Sequence, residues 1–192
     1  YKRQDFGSAS GIVGVVASNS CGSNSTTYSV LVTPTPEFNI SSSAVLCNGG
    51  SDGAVELGAL VGTAPFTYSL DGSSNSSGVF SGLSAGTYNA SAVDANGCSS
   101  ALVAVTVNEP TVLTASASGT DALCFGSCDG SATVSAGGGT PGYSYQWNDP
   151  SAQTSATASN LCAGSYSVVV TDANGCSQTV SVTINEPTVL TA

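Results

Sequence analysis

The chain has 192 residues with 12 acidic side chains, two basic ones and no histidine, which gives a net charge of −10. Both basic residues, Lys2 and Arg3, lie at the very start, so nearly the whole chain lacks the cations on which nucleic-acid binding relies. The missing histidine excludes Ser-His-Asp and Cys-His catalysis and histidine-ligated zinc within this segment.

The first 33 residues differ from the rest of the chain. Residues 1–4, YKRQ, resemble translated library-adaptor sequence, and no export signal opens the chain, so we expect a fragment of a longer protein. Apolar and polar residues alternate over 12–17 and 27–32, with a polar loop between them. This pattern predicts the final hairpin of a truncated β-sandwich over 1–33, followed by a proline-rich linker.

The remaining sequence repeats itself. NEPTVLTA at 108–115 returns at 185–192, which sets a period of 77 residues. Between these markers, CNGGSDGAVEL (47–57) corresponds to CFGSCDGSATV (124–134). DANGC likewise occurs in both copies. We predict a first repeat over 34–110, a second over 111–187, and the start of a truncated third over 188–192.

Strand-like segments with a period of two fill the second repeat, and turn residues separate them. They cover 111–118, 130–136, 143–147, 154–161, 165–171 and 179–184. We therefore predict an all-β protein made of tandem immunoglobulin-like antiparallel β-sandwich modules. No run of about 18 apolar residues exists, so we expect no direct membrane insertion.

The seven cysteines divide unequally between the repeats. The first repeat has two cysteines and so allows one internal pair, Cys47–Cys98. Transferring that pair to the second repeat gives Cys124–Cys176 and leaves Cys128–Cys162 as a further pair. The prediction leaves Cys21 without a partner in this segment. Zinc at Cys124 and Cys128 is disfavoured because two further ligands are missing. Persistent disulfides imply an oxidising compartment outside the cytoplasm.

The two DANGC segments, 94–98 and 172–176, admit two interpretations. In a hairpin turn, Asp caps the turn, Asn tolerates a left-handed backbone and Gly adopts positive φ. Alternatively, the oxygens of Asp94 with Asn96, and of Asp172 with Asn174, are candidate calcium ligands. Calcium prefers six to eight oxygens and the EF-hand spacing is absent, so the turn is favoured and calcium remains an open alternative.

Aromatic and acidic residues are the remaining candidates for binding and catalysis. Alternating aromatics point to a strand with a buried face or, alternatively, to a sugar-stacking platform; they are Phe66, Tyr68, Tyr143, Tyr145 and Trp147. Tyr88 and Tyr166 stand where the tyrosine corner of immunoglobulin-like domains would lie. The carboxylate pair Asp52 and Glu56 is not repeated, because the second copy has Asp129 at the position of Asp52 but Thr133 at the position of Glu56. We predict no enzymatic activity.

The order CxGxxDG, GTxP[FY]xY, LxAGxY, DANGC and NEPTVLTA resembles the SprB-type repeat of bacteroidete gliding-motility and cell-surface adhesins. The resemblance covers 34–187, and 5–33 resemble the end of a PKD-like or other immunoglobulin-like domain. It implies export, display at the bacterial cell surface, and a role in adhesion or gliding. The resemblance supplies no catalytic residues.

The expected function is thus a non-catalytic segment of a large secreted or surface adhesin. Its expected partners are neighbouring repeats of the same chain and, outside it, surface glycans or proteins. The alternative is a non-catalytic accessory array of a secreted hydrolase or protease, in which these modules bind glycans.

Overall fold

The computed structural model describes residues 11–30 and 32–191, so the adaptor-like residues 1–4 lie outside the described part. All regular elements there are strands, which confirms the all-β prediction. Their bounds are β1 Gly11–Asn19, β2 Gly22–Val30, β3 Glu37–Ser43, β4 Gly53–Val61, β5 Thr67–Leu70, β6 Ser73–Asn75, β7 Val79–Leu83, β8 Gly86–Val93, β9 Val103–Val107, β10 Thr114–Thr120, β11 Gly130–Gly137, β12 Ser144–Trp147, β13 Thr157–Leu161, β14 Gly164–Thr171 and β15 Ser177–Ile184. Among these residues no helix of membrane-spanning length and apolarity occurs.

Strands β1 and β2 form the predicted antiparallel hairpin. Pairing runs without interruption from Gly11 opposite Val30 to Asn19 opposite Gly22. The polar loop predicted between the strands is therefore wrong, because its Ser, Asn and Thr residues continue β2. Only Ser20 and Cys21 remain in the turn.

Two compact units make up the chain. The first comprises Tyr1–Ser42, Val55–Phe80 and Thr87–Thr106, and the second comprises Ser43–Ala54, Ser81–Gly86 and Val107–Ala192. The loop that contains Cys47 thus belongs to the same unit as the whole second repeat. The repeat boundaries read from the sequence stay a prediction.

Each repeat contributes two sheets. In the first repeat the strand orders are β3-β4-β7 and β6-β5-β8-β9, and in the second they are β10-β11-β13 and β12-β14-β15. The second repeat shows the expected antiparallel pairing throughout, including the predicted closing hairpin of β14 and β15 around DANGC.

Apolar side chains from both sheets of the second repeat meet in one core. They are Ala132 and Val134 of β11, Trp147 of β12, Ala158 and Leu161 of β13, Val168 and Val170 of β14, and Ile184 of β15. The Trp147 indole N–H donates to the Ser155 carbonyl at 3.0 Å, so its one polar atom is satisfied. Each fully buried Val, Leu or Ile contributes about 1.5–3 kcal/mol. Two sheets around one core define a β-sandwich.

The first unit buries the equivalent positions. Its fully or nearly fully buried side chains include Val55, Leu57, Leu70, Ala90 and Ala92. The Tyr68 hydroxyl accepts a hydrogen bond from the Ala59 N–H at 3.0 Å, which joins β5 to β4 of the other sheet. The sequence repeat is therefore also a repeat of the core.

The disulfides differ from the predicted set. Cys128 bonds Cys162, as expected, but Cys47 bonds Cys176 with a Cα–Cα distance of 5.7 Å. The predicted pairs Cys47–Cys98 and Cys124–Cys176 are therefore wrong. Neither Cys98 nor Cys124 forms a disulfide within the described residues.

The second repeat supplies the physical reason for this difference. Ala122 N–H donates to the Asn185 carbonyl at 2.9 Å, so the loop with Cys124 lies beside the end of β15. Cys176 immediately precedes the start of that strand. A strand of this length spans about 27 Å, whereas bonded cysteines have Cα atoms no more than about 7 Å apart. The two cysteines lie at opposite ends of the same sandwich.

Candidate functional site

The Asp172 carboxylate organises the second DANGC segment. The side chain is only 5% exposed. One oxygen, Oδ1, accepts from the backbone N–H groups of Asn174 and Cys176, each at 2.9 Å. The other, Oδ2, accepts from the Thr140 N–H at 2.8 Å. A single carboxylate thereby closes its own turn and fixes that turn to the loop after β11.

Asp94 repeats this arrangement in the first unit. Its Oδ1 accepts from the N–H groups of Asn96 and Cys98 at 2.9 Å, and its Oδ2 accepts from Thr63 at 3.2 Å. Asp94 is also 5% exposed. The predicted turn is therefore present in both copies, with one additional tie to a neighbouring loop that the sequence did not reveal.

In the turn, glycine has the predicted positive φ, but asparagine does not have the predicted left-handed backbone. Gly97 and Gly175 have φ values of 79° and 87°, which favour glycine. In the described chain, neither Asn96 nor Asn174 is among the residues with positive φ. Their side-chain amides instead donate to the hydroxyls of Thr63 and Thr140, each at 2.9 Å.

Hydrogen bonding sets the ionisation of both carboxyls. The Thr140 N–H, with further backbone bonds, outweighs burial and holds the pKa of Asp172 below its ordinary value. Burial is the largest single influence on Asp94 and raises its pKa, but the combined backbone bonds from Cys98, Thr63 and Asn96 lower the pKa overall. Both turns thus hold their Asp in the charged form.

The calcium candidates lie together, and the carboxylate oxygens among them already have protein partners. Both carboxylate oxygens of Asp94 and of Asp172 accept backbone N–H groups. Within residues 11–30 and 32–191, no three His, Cys, Asp or Glu side chains converge as a metal site requires. The geometry of these carboxylates is that of a hydrogen-bonded turn.

A covalent bond joins the second turn to the first repeat. Beside the Cys47–Cys176 disulfide, the Asn174 amide donates to the Leu46 carbonyl at 2.9 Å. The DANGC segment therefore has two faces: its Asp holds the turn together, while its Asn and Cys contact the preceding copy.

The SprB repeat family matches residues 39–75 and 116–152, two stretches in the same register of the 77-residue period. The chain contains two SprB repeats. Both matched stretches include the loop with the first cysteine, Cys47 or Cys124, and end before DANGC. No curated protein matches the chain.

Solved structures with similar folds are distant from these SprB repeats. The titin I-band fragment I67–I69 is 16% identical, with a TM-score of 0.44 over 93% of this chain and 75% of that one. The amphioxus IgVJ-C2 molecule is also 16% identical, with a TM-score of 0.34 over 72% and 98%. The C-terminal 282-residue fragment of intimin is 17% identical, with a TM-score of 0.37 over 79% and 63%. We draw no functional argument from likenesses of this size.

Several remaining candidate residues of the SprB repeats are buried or hydrogen-bonded within the fold. Tyr68 and Trp147 are buried, so neither ring is available for sugar stacking. The Tyr166 hydroxyl donates to the Cys162 carbonyl at 3.0 Å, which is the bond of a tyrosine corner. Asp52 and Asp129 each accept the N–H of a leucine, Leu46 or Leu123, at 3.1 Å.

Sequence reasoning missed Asp149 in the second SprB repeat. This side chain is 5% exposed and accepts from Ser151 N–H and from both the backbone and the side-chain amide of Gln153. Burial raises its pKa, but these bonds, led by the Gln153 side chain, lower it overall. The equivalent residue of the first repeat is Gly72, so comparison of the copies gave no signal.

Proposed function

We propose that this chain is a non-catalytic segment of a large bacterial surface adhesin, in which tandem SprB repeats form a stalk and a multivalent contact surface. The observation that carries the proposal is the disulfide between Cys47 of one repeat and Cys176 of the next. This disulfide cross-links neighbouring repeats, in addition to the peptide chain that already joins them. Weak contacts repeated along such an array add up to strong attachment.

Two features support a location outside the cytoplasm. Disulfides persist in oxidising compartments, and the fold contains two of them. The net charge of −10 suits a soluble exterior surface that resists self-association. This location and the repeat family support the proposed role in adhesion or gliding at the cell surface.

The acidic residues support a non-catalytic role. Asp94, Asp172, Asp52 and Asp129 all accept backbone N–H groups that shape loops. Glu56 is exposed on β4, and its position in the second copy holds Thr133. No carboxylate pair with a catalytic arrangement is thus common to the two repeats.

A groove in the second repeat supports glycan as one class of ligand, and with it the alternative of an accessory array in a secreted enzyme. The half-buried Tyr143 and Tyr145 line this groove, and Gln146, Thr154 and Ser155 contribute polar atoms. Half-exposed tyrosines beside amide and hydroxyl groups are suited to contact the faces and hydroxyls of sugars.

A bead assay tests adhesion. Beads carry the chain at graded densities and are presented to glycan-coated and protein-coated surfaces. We expect attachment to rise steeply with density, because many weak contacts act together. Loss of glycan attachment in Tyr145→Ala, with Glu56→Gln as an exposed control, would identify the groove. If the beads attach to none of these surfaces at any density, the adhesive role is refuted.

A further inference from the structure

The loop that precedes β11 has the same internal hydrogen bonds as the loop that precedes β4. In each copy the loop is anchored to the end of the last strand, to a glutamate of the NEP segment and to its own aspartate. The matched bonds are Val45 N–Asn108 O and Ala122 N–Asn185 O, Gly49 N–Glu109 Oε2 and Gly126 N–Glu186 Oε2, and Leu46 N–Asp52 Oδ1 and Leu123 N–Asp129 Oδ1. The two loops therefore share a backbone hydrogen-bond pattern, while Phe125 and Cys128 stand where the first loop has Asn48 and Ser51.

In the first repeat the surface of this loop is occupied. Cys47 is half-buried and bonded to Cys176, and the Leu46 carbonyl accepts from the Asn174 amide at 2.9 Å. The occupant is the DANGC turn of the following repeat. The loop of the first repeat thus binds a DANGC turn through one disulfide and one backbone-carbonyl hydrogen bond.

In the second repeat the corresponding surface is open. Cys124 is exposed and forms no disulfide among the described residues. Its neighbours Leu123 and Phe125 are 79% and 59% exposed. A preformed loop, an exposed thiol and exposed apolar side chains therefore lie together where the first repeat holds a partner.

We propose that the loop from Ala122 to Asp129 is the docking site for the DANGC turn of a further copy of the repeat. Cys124 forms a disulfide with the cysteine of that turn, and the Leu123 carbonyl accepts a hydrogen bond from its asparagine amide. The first cysteine of every repeat thus bonds the DANGC cysteine of the next. This inference rests on the array organisation of the proposed function, but it does not depend on adhesion.

The first repeat contains the complementary half of the interface. The Asn96 amide donates to the Thr63 hydroxyl at 2.9 Å, as Asn174 does to Thr140, so the turn before Cys98 has the conformation seen in the occupied interface. Cys98 is half-buried and forms no disulfide among the described residues. The turn thus already has the docked backbone conformation, and its Cys98 thiol, which lies 3.1 Å from the Thr33 hydroxyl, would exchange that contact for a disulfide.

The covalent step is a thiol–disulfide exchange. Two thiols lose their protons and two electrons, one S–S bond forms, and a low-molecular-weight disulfide oxidant such as oxidised glutathione is reduced to two thiols. Nearly every charge on a repeat is negative, so copies repel one another within about 10 Å at ordinary salt concentrations. The disulfide makes the contact persist despite this repulsion.

The test compares the chain with an extended chain in which residues 111–187 are repeated after residue 187, both oxidised in a glutathione buffer. The added copy carries Cys124→Ser, so that its own loop contributes no thiol, and Ser177→Thr, which gives its DANGC peptide a distinct mass. In the original chain we expect Cys124 to react with maleimide, whereas in the extended chain we expect it to be protected. Cleavage after Phe125 by chymotrypsin separates Cys124 from Cys128, so mass spectrometry of non-reduced peptides identifies the partner of each. The expected new link joins Cys124 to the DANGC cysteine of the added copy.

Two variants of the extended chain serve as controls. Cys124→Ser in the second repeat as well should leave the DANGC cysteine of the added copy reactive toward maleimide, and Cys128→Ser with Cys162→Ser should leave the new link intact. A Cys124 that stays reactive in the extended chain, or that bonds Cys128 or Cys176, overturns the proposal. Absence of the Cys47–Cys176 peptide from the original chain overturns it as well. The bead assay is independent of all these outcomes.

Discussion

Asp172 stabilises its turn most strongly when it is charged, because all its hydrogen-bond partners are N–H donors. A folded-state pKa below the unfolded value means that the contribution is present above about pH 4 and is lost as the pH falls through the folded pKa. The same sign applies to Asp94 and Asp149. Each of these three residues therefore raises the free energy of unfolding at neutral pH and makes the fold sensitive to acid.

Asp172→Asn should lower the melting temperature at pH 7, because the new amide NH₂ faces at least one backbone donor. It should also weaken the pH dependence of unfolding below about pH 4, where the wild-type residue loses its charge. Thermal unfolding followed by circular dichroism at pH 7 and pH 3 measures both effects. Glu56→Gln, which neutralises an exposed carboxylate, is the control, and equal losses in the two variants would contradict the assignment.

Chelation provides a second prediction for the same residues. Since backbone N–H groups occupy both oxygens of Asp94 and Asp172, we expect a melting temperature that is unchanged by excess EDTA or by millimolar calcium. A fall on chelation that calcium restores, and that Asp94→Asn together with Asp172→Asn abolishes, would instead establish the calcium site.

At the scale of single strands, close packing at the start of β11 depends on Gly130. A Cβ atom there would lie 2.6 Å from Ile184 Cγ2 and 2.9 Å from the Leu161 carbonyl oxygen. We expect Gly130→Ala to destabilise the second unit by about 1–3 kcal/mol, the usual cost of overpacking. Denaturant unfolding measures the loss. Gly137→Ala in the same strand is the control, because its nearest neighbour is an ordinary 3.5 Å contact.

The Cys128–Cys162 disulfide fixes the loop before β11 to the turn between β13 and β14. Replacing both cysteines with serine should cost about 4 kcal/mol in the chain-entropy description of a cross-link of this span, without abolishing folding. Ser51 and Ser84 occupy the equivalent positions of the first repeat, where the sandwich forms without this cross-link. Denaturant titration of the double variant measures the loss, and an unfolded variant would contradict the expectation.

Strands and their pairing could be predicted because alternation and internal repetition are local signals. The hairpin of β14 and β15 and its DANGC turn illustrate this. Disulfide partners could not, because Cys98 and Cys176 have the same local sequence, and only three-dimensional structure tells whether a cysteine bonds its own copy or a neighbouring one. The tie from Asp172 to Thr140 and the network around Asp149 depend on non-local loop positions, so the sequence contained no pattern for them.

At the scale of the whole molecule, Cys47–Cys176 is the longest cross-link, with a sequence separation of 129 residues. Replacing both cysteines with serine should destabilise the fold by about 5 kcal/mol, more than loss of Cys128–Cys162, since the entropy of loop closure grows with span. Denaturant titration of the two double variants side by side measures the difference. The reverse order of stability would contradict this ranking.

The same bond also decides how the chain responds when its two ends are pulled apart. Tension passes from residue 47 directly to residue 176, so the segment between these cysteines is bypassed even if its sandwiches unfold. Fully extended, the enclosed residues would span roughly 440 Å, and the disulfide withholds nearly all of that length. An oxidised array would therefore transmit force with little lengthening, whereas a reduced one would extend repeat by repeat.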